Sequence, residues 1–194
     1  MIKNGFALAL IFSFGFFSMA QSQEERKIYL ELEPLQFASS GFSIVGHYAL
    51  NNRWQIGTNV FASELSEGFN DLVFDFDESI DLLATQNFGI NLSIRYFLNE
   101  ENGNKGWVVS FPVGYEQWTL EDRNTNLEED YNFWYISPRI GYLWYPIKKE
   151  RFYILGEVAA ILPLSTDGEV NIGSSEIEIN PFIPLPGLGL GFRF

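Results

Sequence analysis

The sequence predicts an all-β fold, an eight-stranded antiparallel up-and-down transmembrane β-barrel, on the strength of three observations. Apolar and polar residues alternate with period two in one segment after another. The chain contains 19 Phe, 9 Tyr and 5 Trp, yet its mean hydropathy is only −0.02, which suits a barrel because only alternate residues contact lipid. The last nine residues form a strand that has one wholly apolar face and ends at the last residue of the chain.

That terminal strand is the most informative segment. Successive side chains of a strand point to opposite faces. The apolar face carries Leu188, Leu190, Phe192 and Phe194, and the other carries Gly187, Gly189, Gly191 and Arg193. Lipid would cover the first face of a transmembrane barrel, and the lumen would take the second.

The N-terminus indicates export. Lys3 is the only charged residue among the first 23, and an apolar run and the small-residue site Ser18-Met19-Ala20 follow it. This order is typical of a secretory signal peptide. A membrane anchor would need about 20 apolar residues. We therefore expect a signal peptide at residues 1–20 and one barrel domain at residues 21–194.

The first four strands are expected at 27–37, 42–50, 53–65 and 85–98. In the first, apolar Ile28, Leu30 and Leu32 oppose Tyr29, Glu31 and Glu33. The second and third are joined by a tight turn at Asn51-Asn52, and in the third Trp54, Ile56, Thr58, Val60 and Ala62 oppose Gln55, Gly57, Asn59, Phe61 and Ser63. The fourth sets Phe88, Ile90, Leu92, Ile94, Tyr96 and Leu98 against Asn87, Gly89, Asn91, Ser93 and Arg95.

The last four strands are expected at 106–120, 132–145, 151–162 and 182–194. The fifth sets Trp107, Val109, Phe111, Val113 and Tyr115 against Ser110, Gly114 and Glu116. The sixth sets Trp134, Ile136, Ile140, Tyr142 and Trp144 against Tyr135, Ser137, Arg139 and Gly141. The seventh sets Phe152, Ile154, Val158 and Ala160 against Tyr153 and Glu157. Strand ends or bulges are expected at Pro112, Pro138, Pro184 and Pro186, because proline cannot donate to a ladder.

The connections between strands alternate in length. Those after strands two, four and six are short (51–52, 99–105 and 146–150), and those after strands three, five and seven are long (66–84, 121–131 and 163–181). The first connection, at 38–41, is the exception. Residues 69–84 could extend the neighbouring strands as a hairpin, or carry a short helix at 78–84. Short periplasmic turns and long outer loops are typical of outer-membrane barrels, so we expect a periplasmic C-terminus.

Aromatic residues cluster near the short turns, where an interfacial girdle is expected. They are Trp54, Tyr96, Trp107, Trp144, Tyr145 and Phe152.

The inferred inward face carries a set of charged residues: Glu31, Glu33, His47, Arg95, Glu116, Arg139, Glu157 and Arg193. Eight strands leave a lumen just wide enough for side chains to fill. Carboxylates and guanidiniums in that space should pair, because buried lone charge is costly. We expect a structural network, with a polar path for a small solute as the second possibility. Arg193 is expected beside Glu31 or Glu33, since closure brings the last strand to the first.

The amino-acid composition excludes several kinds of reactive and metal-binding site. The chain lacks cysteine, which excludes disulfides, thiol nucleophiles, cysteine-bound zinc and a lipoprotein anchor. His47 is the only histidine, and a serine–histidine pair would need Ser43, Ser63 or Ser110 beside it. We expect no enzyme activity, no cofactor and no resident metal.

The negative net charge argues against nucleic acid as a partner and leaves divalent cations as an alternative. Without residues 1–20 the chain has 11 basic and 25 acidic residues, a net charge of −14, which repels nucleic acid. Asp75-Phe-Asp77-Glu78 is half of a calcium loop but lacks its glycine and final glutamate. The acidic loops are expected to be solvated, with divalent-cation bridging to lipopolysaccharide as an alternative.

The alternating strands and the terminal Leu188, Leu190, Phe192 and Phe194 resemble the small outer-membrane barrels of Gram-negative bacteria, the class of OmpA, OmpX and OmpW. The resemblance covers residues 21–194 as architecture, and the terminal pattern resembles the signal that such proteins present to the barrel-assembly machinery. It implies the outer membrane, with the long acidic loops extracellular, lipid and lipopolysaccharide as surroundings, and a monomer.

Members of that class differ in function, so the fold alone does not assign one. We expect a non-enzymatic barrel with a structural or cell-surface interaction role. The alternatives are a narrow channel or transporter for small or amphipathic solutes and, below it, a soluble secreted ligand-binding barrel.

Overall fold

The computed structural model describes residues 27–65, 67–77, 79–99, 104–147, 151–166, 170–172 and 175–194. The predicted signal peptide at 1–20 lies outside these residues. Within them, no helix has both the length and the apolar character needed to cross a membrane.

Thirteen strands and two short helices make up the described chain. In order they are β1 (Ile28–Leu32), α1 (Pro34–Ala38), β2 (Phe42–Ala49), β3 (Trp54–Glu64), α2 (Glu67–Val73), β4 (Phe74–Phe76), β5 (Leu82–Phe97), β6 (Gly106–Ser110), β7 (Val113–Asp122), β8 (Leu127–Ile136), β9 (Arg139–Trp144), β10 (Phe152–Thr166), β11 (Val170–Ile172), β12 (Ser175–Ile179) and β13 (Ile183–Arg193).

Ten of these strands form one closed antiparallel sheet. The short strands β6 and β7 follow one another along a single strand position of the barrel wall, and so do β8 and β9. The ring therefore has eight strand positions. It closes where β1 pairs with β13, from Tyr29 opposite Arg193 to Leu32 opposite Leu190. The predicted eight-stranded up-and-down barrel is confirmed. We call the end with the first and last residues of the barrel the turn end, and the opposite end the loop end.

Two of the eight strand positions are each divided by a proline, as predicted. Pro112 separates β6 from β7, and Pro138 separates β8 from β9. Their carbonyls still bond across the barrel wall: the Ser137 N–H donates to the Pro112 oxygen at 2.8 Å, and the Ala160 N–H donates to the Pro138 oxygen at 3.1 Å. Both breaks are therefore confined to the neighbourhood of the proline, which lacks a donor.

Pro184 and Pro186 behave differently from the prediction. Both lie inside β13 in uninterrupted register with β10, opposite Ala160 and Val158, with no bulge and no strand end. The Phe194 N–H donates toward β1, to Ile28, so the other even-numbered residues of β13 also direct their backbone groups to that side. In the described residues β1 pairs with β13 only from Leu190 onward. The prolines are tolerated because no strand faces their nitrogens.

The first strand ends earlier than the predicted residue 37. It stops at Leu32, and α1 follows it. Pro34 occupies the first turn of this helix, where its fixed φ suits a helix and its missing N–H costs nothing. The short α1 therefore fills the place beside β13 that a longer β1 would have taken, and contributes to the first loop-end connection.

At the loop end, the sequence leaves two alternatives open for residues 69–84, and the one with a helix at 78–84 is wrong. The helix is α2, and residues from Leu82 belong to β5, which pairs with β7 as far as Asp122. The predicted loop at 121–131 is a hairpin with its turn at residues 123–126, and Pro163 lies within β10 rather than in a loop. A bulge at Asn87–Phe88 changes the phase of β5. Asn87 therefore faces outward, and Gln86 takes the inward position.

A second sheet covers the loop end. Its order is β11-β12-β4, and Ile177 of β12 stands opposite Phe76 of β4. The strand β4 belongs to the connection between β3 and β5, whereas β12 belongs to the connection between β10 and β13. These connections lie on opposite sides of the eight-membered ring. Their pairing therefore spans the mouth of the barrel, and we call this three-stranded sheet the cap.

The β7–β8 turn yields a prediction about pH. The Asp122 carboxylate accepts hydrogen bonds from the Thr125 hydroxyl at 2.7 Å and the Asn124 N–H at 3.0 Å. These bonds, the Thr125 bond foremost, lower the pKa of Asp122. Stabilisation of the turn is thus complete above the ordinary carboxyl pKa and is lost as the pH falls through the lowered value.

We expect the carboxyl ¹³C titration of Asp122 to have a midpoint below that of a free aspartate, and Thr125→Val to move it upward. Thr119→Val on the same hairpin, which removes a hydroxyl that bonds Asp130 instead, is the control. Equal midpoints for Thr125→Val and the unchanged chain would show that the Thr125 bond does not set the pKa.

Candidate functional site

The barrel has its apolar side chains on the outside. The large exposed apolar residues of the wall include Ile44, Ile56, Ile90, Leu92, Ile94, Val113, Ile140, Val158, Leu188 and Leu190. Along β5 and the residue after it they run from Phe88 to Leu98, and these ten residue steps rise about 25 Å at about 3.3 Å each and a tilt of about 40°. That height matches the apolar band of a transmembrane barrel.

An aromatic girdle follows the turn end of this band. The Trp54 and Tyr96 rings lie 4.6 Å apart, and the Trp107 and Tyr142 rings 5.4 Å apart. Trp144 is also exposed. One predicted member is wrong: Tyr145 is 8% exposed and turns inward, because it occupies the lumen phase after Leu143.

Apolar and aromatic side chains fill the lumen near the turn end. We call this group the turn-end plug; its buried members are Tyr29, Ala49, Phe97, Val108, Leu143, Tyr145, Tyr153 and Leu155. The Tyr153 ring lies 5.9 Å from Tyr29 and 5.8 Å from Tyr145. The Arg193 guanidinium stands 5.2 Å above the Tyr145 ring, a cation–π contact. The structure thus places Arg193 against the plug.

Above the plug, Glu31 and Arg95 form a buried bidentate pair. Each of the two guanidinium nitrogens Nη1 and Nη2 donates to one Glu31 oxygen at 3.2 Å. The pair spans the lumen between β1 and β5. Gly189 makes room for it, since a Cβ there would lie 2.6 Å from the Glu31 carboxyl carbon.

A second cluster surrounds Arg139. Its Nη1 donates to Glu157 at 2.7 Å and lies 3.8 Å from a Glu33 oxygen. Glu33 also accepts hydrogen bonds from the Ser43 hydroxyl and, at 3.2 Å, from the Asn59 amide. Two carboxylates therefore share one guanidinium, and neutral donors complete the coordination of Glu33.

Glu116 has neutral partners. The Gln86 amide donates to its Oε2 at 2.8 Å, and the Trp118 indole N–H donates to the same oxygen at 2.9 Å. Neither donor was expected from the sequence. Gln86 could not be found by alternation, because the bulge on β5 reverses its phase, whereas Trp118 continues the inward phase of Glu116.

His47 is enclosed. Its Nε2 lies 2.9 Å from the Ser93 hydroxyl, and Ser93 was not among the predicted partners. Ser43 bonds Glu33 and Asn59, and Ser63 bonds Gln86. The space beside His47 has a volume of about 10 Å³, room for about one water molecule. The structure joins seven of the eight predicted lumen charges into one polar layer and leaves Arg193 at the plug.

A larger space, the upper cavity, lies next to this polar layer on the side toward the loop end. It has a volume of about 320 Å³. Its floor carries Glu33, Asn59, Gln86, Glu116, Arg139 and Glu157, and its walls carry Phe61, Leu65, Phe69, Val73, Trp118, Ala159, Ile161 and Leu185. The alternation of single strands did not predict this cavity, because α1 and α2 contribute to its lining.

The cap is joined to the barrel by an aromatic core. Phe74 of β4 is 1% exposed and contacts the Trp118 ring edge-on at 5.5 Å. Ile172 and Ile177 from the cap are buried in the same core. In the described residues, no three His, Asp or Glu side chains are grouped so that they could hold a metal ion. Glu78 of the predicted half calcium loop lies outside those residues.

Comparison with known proteins supports the fold. No protein-family model matches the chain, and no curated protein matches it. A major outer membrane protein from Thermus thermophilus is similar in structure, with a TM-score of 0.52 and 11% identity over 88% of this chain and 100% of that one. Acinetobacter baumannii CarO2 (13% identity, 87% and 98% coverage) and Neisserial surface protein A (9%, 87% and 94%) each have a TM-score of 0.47. The chain has the fold of the small outer-membrane β-barrels.

The Glu31–Arg95 pair generates a prediction about stability. Arg95→Met leaves a buried carboxylate without its guanidinium, and such a loss costs roughly 3–5 kcal/mol. Arg95→Met combined with Glu31→Leu removes both charges and should recover most of that loss. The measurement is the free energy of unfolding in phospholipid vesicles, by urea titration. A double variant as unstable as Arg95→Met would contradict the predicted coupling.

Proposed function

We propose that this protein is an integral outer-membrane β-barrel with a sealed lumen and no enzymatic activity, whose role is structural or interactive at the cell surface. The observation that carries the proposal is the inverted distribution of polarity. The wall exposes a continuous apolar band, while Glu31, Arg95 and Arg139 are held inside. A soluble ligand-binding barrel would need a polar exterior, so the apolar band on the outer face argues against that alternative.

The proposed orientation places the turn end in the periplasm and the cap outside the cell. Short connections at the turn end and elaborated ones at the loop end support it. In this proposal residues 1–20 direct export, and Leu188, Leu190, Phe192 and Phe194 on the outward face of β13 present the chain to the barrel-assembly machinery. Lipid and lipopolysaccharide surround a monomeric barrel.

Two features of the lumen support a sealed and non-enzymatic barrel. The turn-end plug and the bonded polar layer occupy the axis, which opposes the channel hypothesis. The His47–Ser93 pair faces a space of about 10 Å³, too small to admit a substrate beyond the size of one water molecule.

Membrane insertion is tested by a charge on the outer band. Leu92→Arg, near the middle of the band, should lower the free energy of unfolding in vesicles by about 2–4 kcal/mol, because lipid solvates a guanidinium poorly. Leu127→Arg, at an exposed position beyond the band, is the matched control and should have little effect. Similar effects of the two substitutions would contradict insertion at this depth.

The sealed lumen is tested by conductance in planar bilayers. We expect the unchanged protein to give no steady single-channel current. Removing two rings of the plug, Tyr145→Ala with Tyr153→Ala, should produce measurable current, whereas Tyr142→Ala on the outer face should not. Steady conductance of the unchanged protein would favour the channel hypothesis.

A further inference from the structure

The upper cavity continues through the barrel wall. Its lining includes Leu185 and Gly187 from the inward face of β13 and also Pro186 and Leu188 from the outward face. Pro186 and Leu188 are both exposed. The lining residues on both faces of β13, together with the exposed Leu35 of α1, indicate that the cavity passes the edge of that strand. The opening therefore lies beside β13, on the side where α1 replaces β1.

This opening, the seam, has a backbone cause. Within the described residues β1 leaves β13 after the Leu32–Leu190 pair, so the segment of β13 before Leu190 has a strand neighbour on one side only, β10. Pro184 and Pro186 direct their carbonyl oxygens toward the seam. Proline at these positions removes the N–H groups that would otherwise recruit another strand. The two prolines thus prevent another strand from pairing with β13 along the seam.

The seam joins the cavity to the apolar exterior. Leu35 of α1 and Leu188 of β13 line the cavity and are also 47% and 38% exposed. An apolar chain could pass between them without leaving an apolar environment. The cavity volume of about 320 Å³ lies at the lower end of the range of about 300–1,000 Å³ that is typical of small-molecule sites. It suits one acyl chain of moderate length rather than two.

The side chains at the floor of the cavity indicate the chemistry of the head group that an acyl-chain ligand would carry. Three carboxylates (Glu33, Glu116 and Glu157) and one guanidinium (Arg139) line it. Arg139 already donates a hydrogen bond to Glu157 and forms an ion pair with Glu33 at 3.8 Å. Unused acceptor positions on the carboxylates and the seam carbonyls favour a ligand that donates hydrogen bonds. An anionic head group would meet like charge.

We infer that the upper cavity is a binding site for a single-chain amphiphile that enters from the membrane through the seam, with its chain against Phe61, Trp118 and Ile161 and an uncharged, hydroxyl-bearing head group at the polar floor. The site is independent of the surface role proposed above, and it needs no open path along the barrel axis. It relies on membrane insertion only for the route by which the ligand arrives.

Trp118 provides a direct readout. It is 3% exposed and lines the cavity, whereas the other four tryptophans lie on the outer face. Replacing Trp54, Trp107, Trp134 and Trp144 by Phe leaves Trp118 as the only tryptophan. The probe is a monoacylglycerol with a brominated twelve-carbon chain, added to this variant in phosphatidylcholine vesicles. We expect saturable quenching of Trp118, and unbrominated monolauroylglycerol should reverse it.

Two neighbouring alanines offer a matched pair of variants. Ala159 points inward and lines the cavity, and Ala160 lies on the outward phase of the same strand. Ala159→Phe should fill the site and weaken binding by about tenfold or more, which corresponds to about 1.4 kcal/mol, and Ala160→Phe should leave binding unchanged. Heat-modifiable migration on gels checks that each variant folds.

Laurate tests the head group, because it has the same chain with a carboxylate. We expect it to compete at least about tenfold less well than monolauroylglycerol. Quenching that rises linearly with the probe and is equal in both alanine variants would mean simple partitioning into the bilayer, and would overturn the site. Equal competition by laurate would overturn the assigned head group. A folded Ala159→Phe variant that binds normally would place the probe elsewhere.

Discussion

The structure depends on one geometric constraint, the narrow lumen of a closed eight-stranded ring. Alternate residues of every strand must point inward, so large side chains on neighbouring strands compete for the same space. The chain resolves this competition with glycine opposite the largest groups. A Cβ at Gly57 would collide with His47, one at Gly89 with Phe61, one at Gly114 with Tyr135 and one at Gly191 with Tyr153. Size pairing across the wall thus decides which side chains reach the axis, and therefore how the charges meet.

The same constraint divides the lumen into three levels. Tyrosines and aliphatic residues seal the turn end, a bonded layer of carboxylates and guanidiniums follows, and the upper cavity lies toward the loop end. Charge is tolerated in the middle level because each guanidinium has a carboxylate within reach. The apolar exterior and the polar interior are consequences of one alternation, and they support an integral barrel without an axial pore. The cap adds a second closure, since β4 and β12 come from opposite sides of the ring.

Within the described residues, a segment of a wall strand lacks a strand neighbour on one side between α1 and β13. Elsewhere each strand has two neighbours that satisfy its backbone, as a structure in lipid requires. Along the seam Pro184 and Pro186 remove the donors, and α1 occupies the position of a longer β1. The cavity meets the exterior at the same place, so the proposed amphiphile site and the irregular wall share one cause.

Sequence alone predicted the eight-stranded barrel, its direction of alternation and the inward phase of eight charged or titratable residues, because period two is a local property that survives any tertiary arrangement. Proline likewise predicted the breaks at Pro112 and Pro138. The tertiary structure decided the rest. It paired Glu31 with Arg95, and it brought Glu33 and Glu157 to Arg139. Tyr145 points inward, and a bulge places Gln86 rather than Asn87 on the inward face. The helix α1 stands where the end of the first strand was predicted. These outcomes depend on register, bulges and contacts between residues far apart in the chain, which no single strand encodes.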